Sequence, residues 1–265
     1  MRISKNSSTV NSQYWKVKYE MPWSCYTSSL RRLLTEDTIV ILSLAVDAIS
    51  IGEWKELYGT LNSVEYDRVQ SFHFDLDRRA YTAAHALLRH SLSAVIQADP
   101  ADWRFATGAF GKPHLADPPP GCDLRFNLSH SRSRVAVALA LGAEVGVDVE
   151  ALDRATPLDP GIADACFAPD EAVALRAIET ETLRRERFLR LWTLKEACIK
   201  ATGHGLSQPL NAFSIDPDRL WISSPSLQID RWRLAQWCIG AHQLAVAVVW
   251  PHLTPPCFIH QILAK

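Results

Sequence analysis

The 265-residue chain reads as α+β, with two similar subdomains meeting near residues 140–150. Two observations carry that reading. Helical spacing is strongest in two long stretches, Asp75–Gln97 and Thr182–Thr202, one in each half. Around each lie strand-like segments, so each half offers strands plus one long helix. No strong internal repeat is visible, so duplication does not follow from the residues alone. The resulting boundaries are a polar N-terminal extension and lead-in (1–37), an N-terminal subdomain (38–142), a C-terminal subdomain (143–250) and a tail (251–265).

Taken in order, residues 1–35 show no clear period, and Thr38–Asp47 (TIVILSLAVD) reads as a buried strand. Glu53–Phe72 carries helical spacing with Leu57, Leu61, Val64 and Val69 as core contacts. Asp75–Gln97 puts Ala80, Ala84, Leu87, Leu88, Leu92, Val95 and Ile96 on one apolar face. Trp103–Ala106 reads as a strand before a Gly108–Pro113 turn, and Pro118–Gly121 as a loop. Leu124–Leu128 is a short strand running into Ser129-His130-Ser131. Val135–Leu141 and Val145–Val149 are two strands whose Gly142-Ala143-Glu144 link suggests a hairpin. A Pro/Asp loop follows over 151–160, then short helices at Gly161–Phe167 and from Pro169. There Pro lies in the first turn and Asp170 and Glu171 face the positive helix end. The long helix 182–202 stops at Gly203. Phe213–Ile215, Trp232–Cys238 and Leu244–Trp250 are strand-like.

Bulk properties narrow the function. With 48% hydrophobic residues the chain can bury one large core or two small ones. A formal net charge of −1 gives no basic field for nucleic acid. The polar start lacks the apolar stretch of a signal peptide. The apolar run Ile39–Ile49, interrupted by Ser43 and Asp47, is too short to span a membrane. Six scattered Cys with no C-x-x-C pair fit a reduced cytoplasmic protein rather than a zinc or disulfide framework.

The chemistry concentrates in a few segments. On Gly146-Val-Asp-Val-Glu150 a strand puts Asp148 and Glu150 on one face, with Val147 and Val149 on the other. Two adjacent carboxylates repel unless a cation lies between them. On Trp192-Thr-Leu-Lys-Glu-Ala-Cys-Ile-Lys200, helical spacing places Trp192, Lys195, Glu196 and Lys200 on neighbouring positions of one stripe. Two strand carboxylates plus Glu196 can make an oxygen-rich site for a hard divalent metal, and Lys beside it suits phosphate. The plainer readings are a strand end facing water and an ordinary Glu–Lys surface pair. Phe126-Asn-Leu-Ser-His-Ser131 offers Ser129 and His130 to a phosphate, or is a simple turn. Gly111-Lys112-Pro113 is a turn presenting one Lys; it is not a P-loop. Arg68, Arg78, Arg79 and Arg89 read mostly as solvated surface, with one or two able to reach a polyanion. No G-x-S-x-G elbow supports Ser–His hydrolase chemistry.

In order, Gly111-Lys-Pro, Phe126-Asn-Leu-Ser-His-Ser, Gly146-Val-Asp-Val-Glu and Trp192-Thr-Leu-Lys-Glu-Ala-Cys-Ile-Lys resemble motifs of the 4′-phosphopantetheinyl transferases of the Sfp type, also called the holo-[acyl-carrier-protein] synthase superfamily. Arg68-x-x-x-Phe72…Asp77…Leu88-Arg89 is similar to that family's N-terminal helices. The last two motifs are specific as an ordered pair, and the resemblance covers about 38–250. Ala84 departs from it, where a Gly is expected.

The resemblance implies a monomer with a pseudo-twofold pair of similar α/β subdomains. Each would be a small, mainly antiparallel sheet with a long helix, and coenzyme A would bind in the cleft between them. It implies Mg²⁺-dependent transfer of 4′-phosphopantetheine from coenzyme A to a serine of an acyl, polyketide or peptidyl carrier protein, releasing adenosine 3′,5′-bisphosphate. Mn²⁺ is an alternative metal. Asp148, Glu150 and Glu196 would be the metal ligands, and Glu196 the base or the holder of a basic water. Lys200 would meet the coenzyme A phosphates. Arg68 and His130 resemble 3′-phosphate contacts; Gly111, Lys112, Pro113, Ser129 and Asp148 complete the coenzyme A set. The basic segment Arg184-Arg-Glu-Arg187 is one candidate for an acidic carrier helix, or a solvated helix face. The alternatives are a non-catalytic carrier-protein-binding module and a metal-dependent phosphoesterase.

Overall fold

The structure is a computed structural model that describes residues 16–22, 26–152, 160–224 and 229–264. Residues 1–15 of the extension and 153–159 of the Pro/Asp loop lie outside these.

The N-terminal half begins with strand β1 (Lys16–Pro22) and helix α1 (Tyr26–Leu33), followed by β2 (Thr38–Ala45). The single helix expected over 53–72 is two, α2 (Ile51–Gly59) and α3 (Ser63–Ser71). Asn62 causes the break: its side chain accepts from Glu65 N at 2.9 Å while Glu65 accepts from Asn62 N at 3.0 Å. This capping box starts a fresh helix and resets its phase. Leu57 and Val69 are buried as expected, whereas Val64 is 74% exposed. Helix α4 (Asp75–Ile96) opens with Asp75 and Asp77 in its first turn and closes on left-handed Gln97.

Short strands β3 (Phe105–Thr107) and β4 (Pro113–Leu115) flank the Gly108–Lys112 turn. Strands β5 (Leu124–Ser131) and β6 (Arg134–Leu141) form a hairpin around Arg132-Ser133. The hairpin expected across Gly142 does not form. The strand after it, β7 (Glu144–Ala151), pairs instead with a strand from the far end of the chain. The reason is that β6 is already bonded on both edges, by β2 and β5.

The C-terminal half adds α5 (Pro160–Cys166), α6 (Pro169–Arg176), α7 (Glu181–Thr202) and the short strands β8 (Ser214–Asp216) and β9 (Trp221–Ser223). Strands β10 (Trp232–Ile239) and β11 (His242–Val249) follow. The residues read as a tail form β12 (Cys257–Ala264), parallel to both β1 and β2. Its apolar residues Phe258, Ile259, Ile262 and Leu263 are buried, a signal obscured by two prolines just upstream.

The two larger sheets are β1-β12-β2-β6-β5 and β10-β11-β7, beside the two-stranded pairs β3-β4 and β8-β9. They face each other across Ile39, Ile41, Ala136, Ala138, Val145, Val147, Leu244 and Val246. Helix α4 covers the outer face of the larger sheet and α7 that of the smaller. In each half the first long strand pairs antiparallel with the last, and the last with the middle one: β2-β6-β5 and β7-β11-β10. Each half also carries one 22-residue helix. Among the described residues no helix is long and apolar enough to cross a membrane.

The tightest contact joins β7 to α7. A Cβ placed on Gly146 would lie 2.0 Å from the Ala197 carbonyl oxygen and 2.4 Å from the Ala201 nitrogen. Both are backbone atoms that cannot swing aside, so only glycine permits this approach. Gly146→Ala is expected to lower unfolding free energy by about 1–3 kcal/mol in urea titrations. Gly52→Ala, where an added Cβ meets nothing within 4 Å, should leave stability unchanged or slightly raised. Equal midpoints for the two variants would contradict the contact.

Candidate active site

The face of β7 that carries Gly146 also carries Asp148 and Glu150, so all three turn toward α7. Lys200, on the helix turn that rests on Gly146, donates to Asp148 Oδ1 at 2.6 Å. Ser129 of β5 donates its hydroxyl to the same oxygen at 2.9 Å and accepts from Lys200 Nζ at 3.1 Å. The free edge of β7 is satisfied by β5 side chains: Asn127 Oδ1 accepts from Val147 N at 3.0 Å, and Ser129 Oγ from Val149 N at 3.4 Å. Ser129 therefore joins the two sheets and touches both charged groups of the site.

Asp148 is 4% exposed, and its second oxygen, Oδ2, is buried with no hydrogen-bond partner. A buried carboxylate oxygen left without a donor costs roughly 1–3 kcal/mol, so such groups mark sites awaiting a ligand or ion. Burial pushes the Glu196 carboxyl up from its ordinary value; the Asp148 charge adds to this and Lys200 opposes it. Among the described residues no three His, Cys, Asp or Glu side chains are gathered within reach of one shared ion. Lys200 instead supplies the charge opposite Asp148. The orphaned oxygen and the raised Glu196 are nonetheless what a divalent cation would relieve, and oxygen donors suit Mg²⁺.

His130 follows Ser129 on β5. Its ring reaches solvent, yet the atoms crowding it depress its pKa; His85 and Lys200 add to this, and Asp77 and Asp148 oppose it. Tyr81 meets it edge-on at 6.4 Å. Tyr81 packs on Phe72 at 5.4 Å, over whose ring the Arg68 guanidinium lies at 5.0 Å. Arg68 is thus linked to His130 through two aromatic rings.

Two regions of the chain match family models. Residues 144–249 match the 4′-phosphopantetheinyl transferase superfamily, and 49–141 match the N-terminal region of 4′-phosphopantetheinyl transferases. A 4′-phosphopantetheinyl transferase of Bacillus subtilis is 30% identical over 167 residues, 63% of this chain and 71% of that protein. The chain belongs to the 4′-phosphopantetheinyl transferase superfamily. Two further members are similar. The 4′-phosphopantetheinyl transferase HetI of Nostoc sp. is 35% identical over 59% of this chain and 65% of its own length. The 4′-phosphopantetheinyl transferase Sfp of Bacillus subtilis strain 168 is 33% identical over 56% and 63% respectively. The chain spans about two thirds of the length of these relatives.

Within this transferase-family fold the remaining expected residues divide. Gly111, at φ +84°, turns the chain before Pro113 opens β4. Lys112 between them donates to Glu144 Oε2 at 2.6 Å and to the Ala201 carbonyl at 2.9 Å, which pins the turn to the C-terminal end of α7. Lys195 does not share the stripe of Glu196 and Lys200. It is fully buried, 2.8 Å from Glu171 Oε2, and donates to the Leu210 and Phe213 carbonyls. Glu171 in turn accepts from Ala168 N and Ile215 N. The role of Glu171 is therefore a buried ion pair as well as a helix start. The segment Arg184–Arg187 is engaged internally: Arg184 caps the Ile178 and Glu179 carbonyls, and Arg187 pairs with Asp218. Arg89, read as surface, is fully buried against Glu65 at 2.9 Å, and Glu65 also meets His85 at 2.9 Å. Its signal was there: Arg89 falls beside Leu88 and Leu92 on the apolar face of α4.

Breaking the Lys195–Glu171 pair by Lys195→Met should cost about 3–5 kcal/mol, because Glu171 is left buried and unpaired. Adding Glu171→Leu should restore part of that loss. Calorimetric melting of the four proteins of this cycle checks it; additive losses would contradict the pairing.

Proposed function

We propose that the protein transfers 4′-phosphopantetheine from coenzyme A to a serine hydroxyl of a carrier protein. The observation that carries this reading is the Asp148–Ser129–Lys200 cluster beneath Glu196, with Asp148 Oδ2 buried and unpaired. It rests on family membership for the reaction class and for coenzyme A and a carrier protein as substrates. The two halves, with matching strand order and one long helix each, are read as a pseudo-twofold pair enclosing the coenzyme A cleft. A cytoplasmic monomer is the working form.

Asp148 through Oδ2, Glu150 and Glu196 would hold Mg²⁺. When bound, the ion supplies neutralisation of charge on the pyrophosphate as the anhydride opens. The residues then divide the work. Glu196, with its raised pKa, takes the proton from the carrier serine, directly or through one water. The serine oxygen forms a bond to the β-phosphorus. The bond from that phosphorus to the bridging oxygen breaks, and adenosine 3′,5′-bisphosphate leaves with the electron pair. Lys200 stays within reach of the developing negative charge, and Ser129 fixes its ammonium group. Arg68 and His130 would meet the 3′-phosphate. Lys112 would contact coenzyme A from the 111–113 turn, at the expense of its Glu144 partner.

The direct test is the intact mass of apo carrier proteins after incubation with coenzyme A and Mg²⁺. Each substrate carrier should gain one phosphopantetheine group, and a chelator should stop the gain. Glu196→Gln should slow it by roughly 10²–10⁴-fold without changing the melting temperature by more than a few degrees. No gain on fatty-acid, polyketide or peptide carriers, or full activity in the variant, would refute the proposal.

The pH profile gives a second test. Activity needs the Glu196 carboxylate, so it falls as pH drops through that raised pKa. Lys200 holds the value down, so Lys200→Met should move the acid limb of kcat/KM to higher pH, besides lowering the plateau. An acid limb that stays in place would assign it to another group.

A further inference from the structure

Tyr81, His85 and Arg89 follow one another at single-turn spacing along α4, so they form one stripe of that helix. Strand β5 runs beside the stripe. Phe126 and Leu128 pack in the core that α4 covers, and His130 shares their face by alternation. Tyr81 to Arg89 is a rise of about 12 Å along the helix, and Phe126 to His130 one of about 13 Å along the strand. Helix and strand therefore meet at two matched rungs. At one rung the Arg89 guanidinium lies over Phe105 at 5.1 Å, and Phe105 meets Phe126 edge-on at 5.6 Å. At the other, Tyr81 meets His130 edge-on at 6.4 Å.

His85 sits between the rungs, and its ring is fixed from α3. Buried Glu65 accepts from His85 Nδ1 at 2.9 Å, from Arg89 Nε at 2.9 Å and from the Asn62 backbone nitrogen at 3.0 Å. Burial pushes the Glu65 carboxyl up, but His85, the Asn62 backbone and Arg89 outweigh it and hold the group below its ordinary value. A carboxylate only accepts, so Nδ1 is the donor and the imidazole cannot turn over without losing that bond. Arg89 is itself immobile, because it is fully buried and donates through Nη1 to the Pro100 carbonyl at 2.8 Å. The Arg89–Glu65 pair alone would join α3 to α4. The His85 bond adds something else, the orientation of a ring that stacks on Tyr81 with centroids 4.0 Å apart and planes 24° apart. Tyr81 passes that orientation on in two directions, to His130 and through Phe72 to Arg68. Burial, and then the Glu65 charge, push the Tyr81 phenol up to about 12, so it adds no negative charge of its own there.

We propose that Glu65, His85 and Tyr81 are positioning residues for His130: the Glu65–His85 pair sets the plane of Tyr81, and Tyr81 holds His130 and Arg68 in place for one phosphate. This rests on the coenzyme A reading above, in which His130 and Arg68 meet the 3′-phosphate. None of the three needs to touch coenzyme A. Their part is to keep an imidazole on a strand and a guanidinium on a helix in register before the anion arrives, which lowers the cost of ordering both on binding. Removing the stack then weakens recognition of the 3′-phosphate and leaves the rest of the nucleotide bound as before.

Titration calorimetry of the whole chain with coenzyme A and with 3′-dephospho-coenzyme A, both with Mg²⁺, isolates that phosphate. The wild type should bind coenzyme A about tenfold or more tighter than the dephospho form, as charge-assisted hydrogen bonds to the extra phosphate require. His85→Gln keeps a donor for Glu65 but removes the ring under Tyr81. It should cut the ratio of the two affinities about 3- to 10-fold while the dephospho form binds within about twofold of wild type. Tyr81→Leu should cut the ratio as much, so the outcome does not hang on one variant folding. Tyr81→Phe, which keeps the stack, should hold the ratio within about twofold of wild type. A merely structural role would weaken both nucleotides alike. That result, or a ratio unmoved in both His85→Gln and Tyr81→Leu, would overturn the positioning role and leave the coenzyme A reading standing. A wild type that binds neither nucleotide would sink the coenzyme A reading, and the positioning role with it.

Discussion

The backbone of α7 rests on a strand position that has no side chain. At Gly146 the Ala197 carbonyl and the Ala201 nitrogen occupy the space any Cβ would need. That approach lowers a whole helix onto β7 and sets the depth at which every neighbouring side chain arrives. Lys200 reaches Asp148 at 2.6 Å because its own backbone is held there. Glu196, one turn earlier on the helix, is raised first by burial and then by the Asp148 charge. The same contact fixes the C-terminal end of α7, where Lys112 ties in the turn from the other half through the Ala201 carbonyl. A helix packed at ordinary side-chain distance, 8–10 Å between axes for helix pairs as a guide, would leave these groups unable to meet.

Charge then explains the shape of the site. Asp148 is buried with one oxygen doubly served, by Ser129 and Lys200, and the other unserved. A lone salt bridge would be better built with both oxygens used. Leaving Oδ2 bare, beside a second carboxylate held above its ordinary range, stores an electrostatic conflict that only a proton or a cation resolves. Ser129 bridges that conflict to the other half of the molecule, because its backbone belongs to β5 while its hydroxyl also accepts from Val149 on β7. The join between the two sheets and the carboxylate cluster therefore use the same atoms.

Sequence pattern reached some of this and missed the rest for identifiable reasons. Strand alternation was enough to put Asp148 and Glu150 on one face, and the structure turns that face to α7. Helical spacing alone grouped Lys195 with Glu196, but adjacent helix positions point about 100° apart, and the buried Glu171 claims Lys195. Two strands joined at Gly142 looked like a hairpin because local pattern cannot show that both edges of β6 are occupied by distant partners. Strand β12 was read as a tail because its pairing partners, β1 and β2, lie more than 200 residues earlier in the chain. The break between α2 and α3 was legible in Asn62 and Glu65, a capping signature inside an apparently continuous period. The family resemblance rested on the ordered motifs, and it is these that the matched regions 49–141 and 144–249 contain.

The account stands on Asp148 Oδ2 being the oxygen left for a cation by the α7–β7 contact. Crystals grown with coenzyme A and Mn²⁺ would locate that ion by its anomalous scattering. The predicted result is one peak at roughly 2.1 Å from Asp148 Oδ2, with Glu196 among its other ligands. A peak coordinated without Asp148, or Lys200 still holding Asp148 while Mn²⁺ occupies another set of carboxylates, would contradict it.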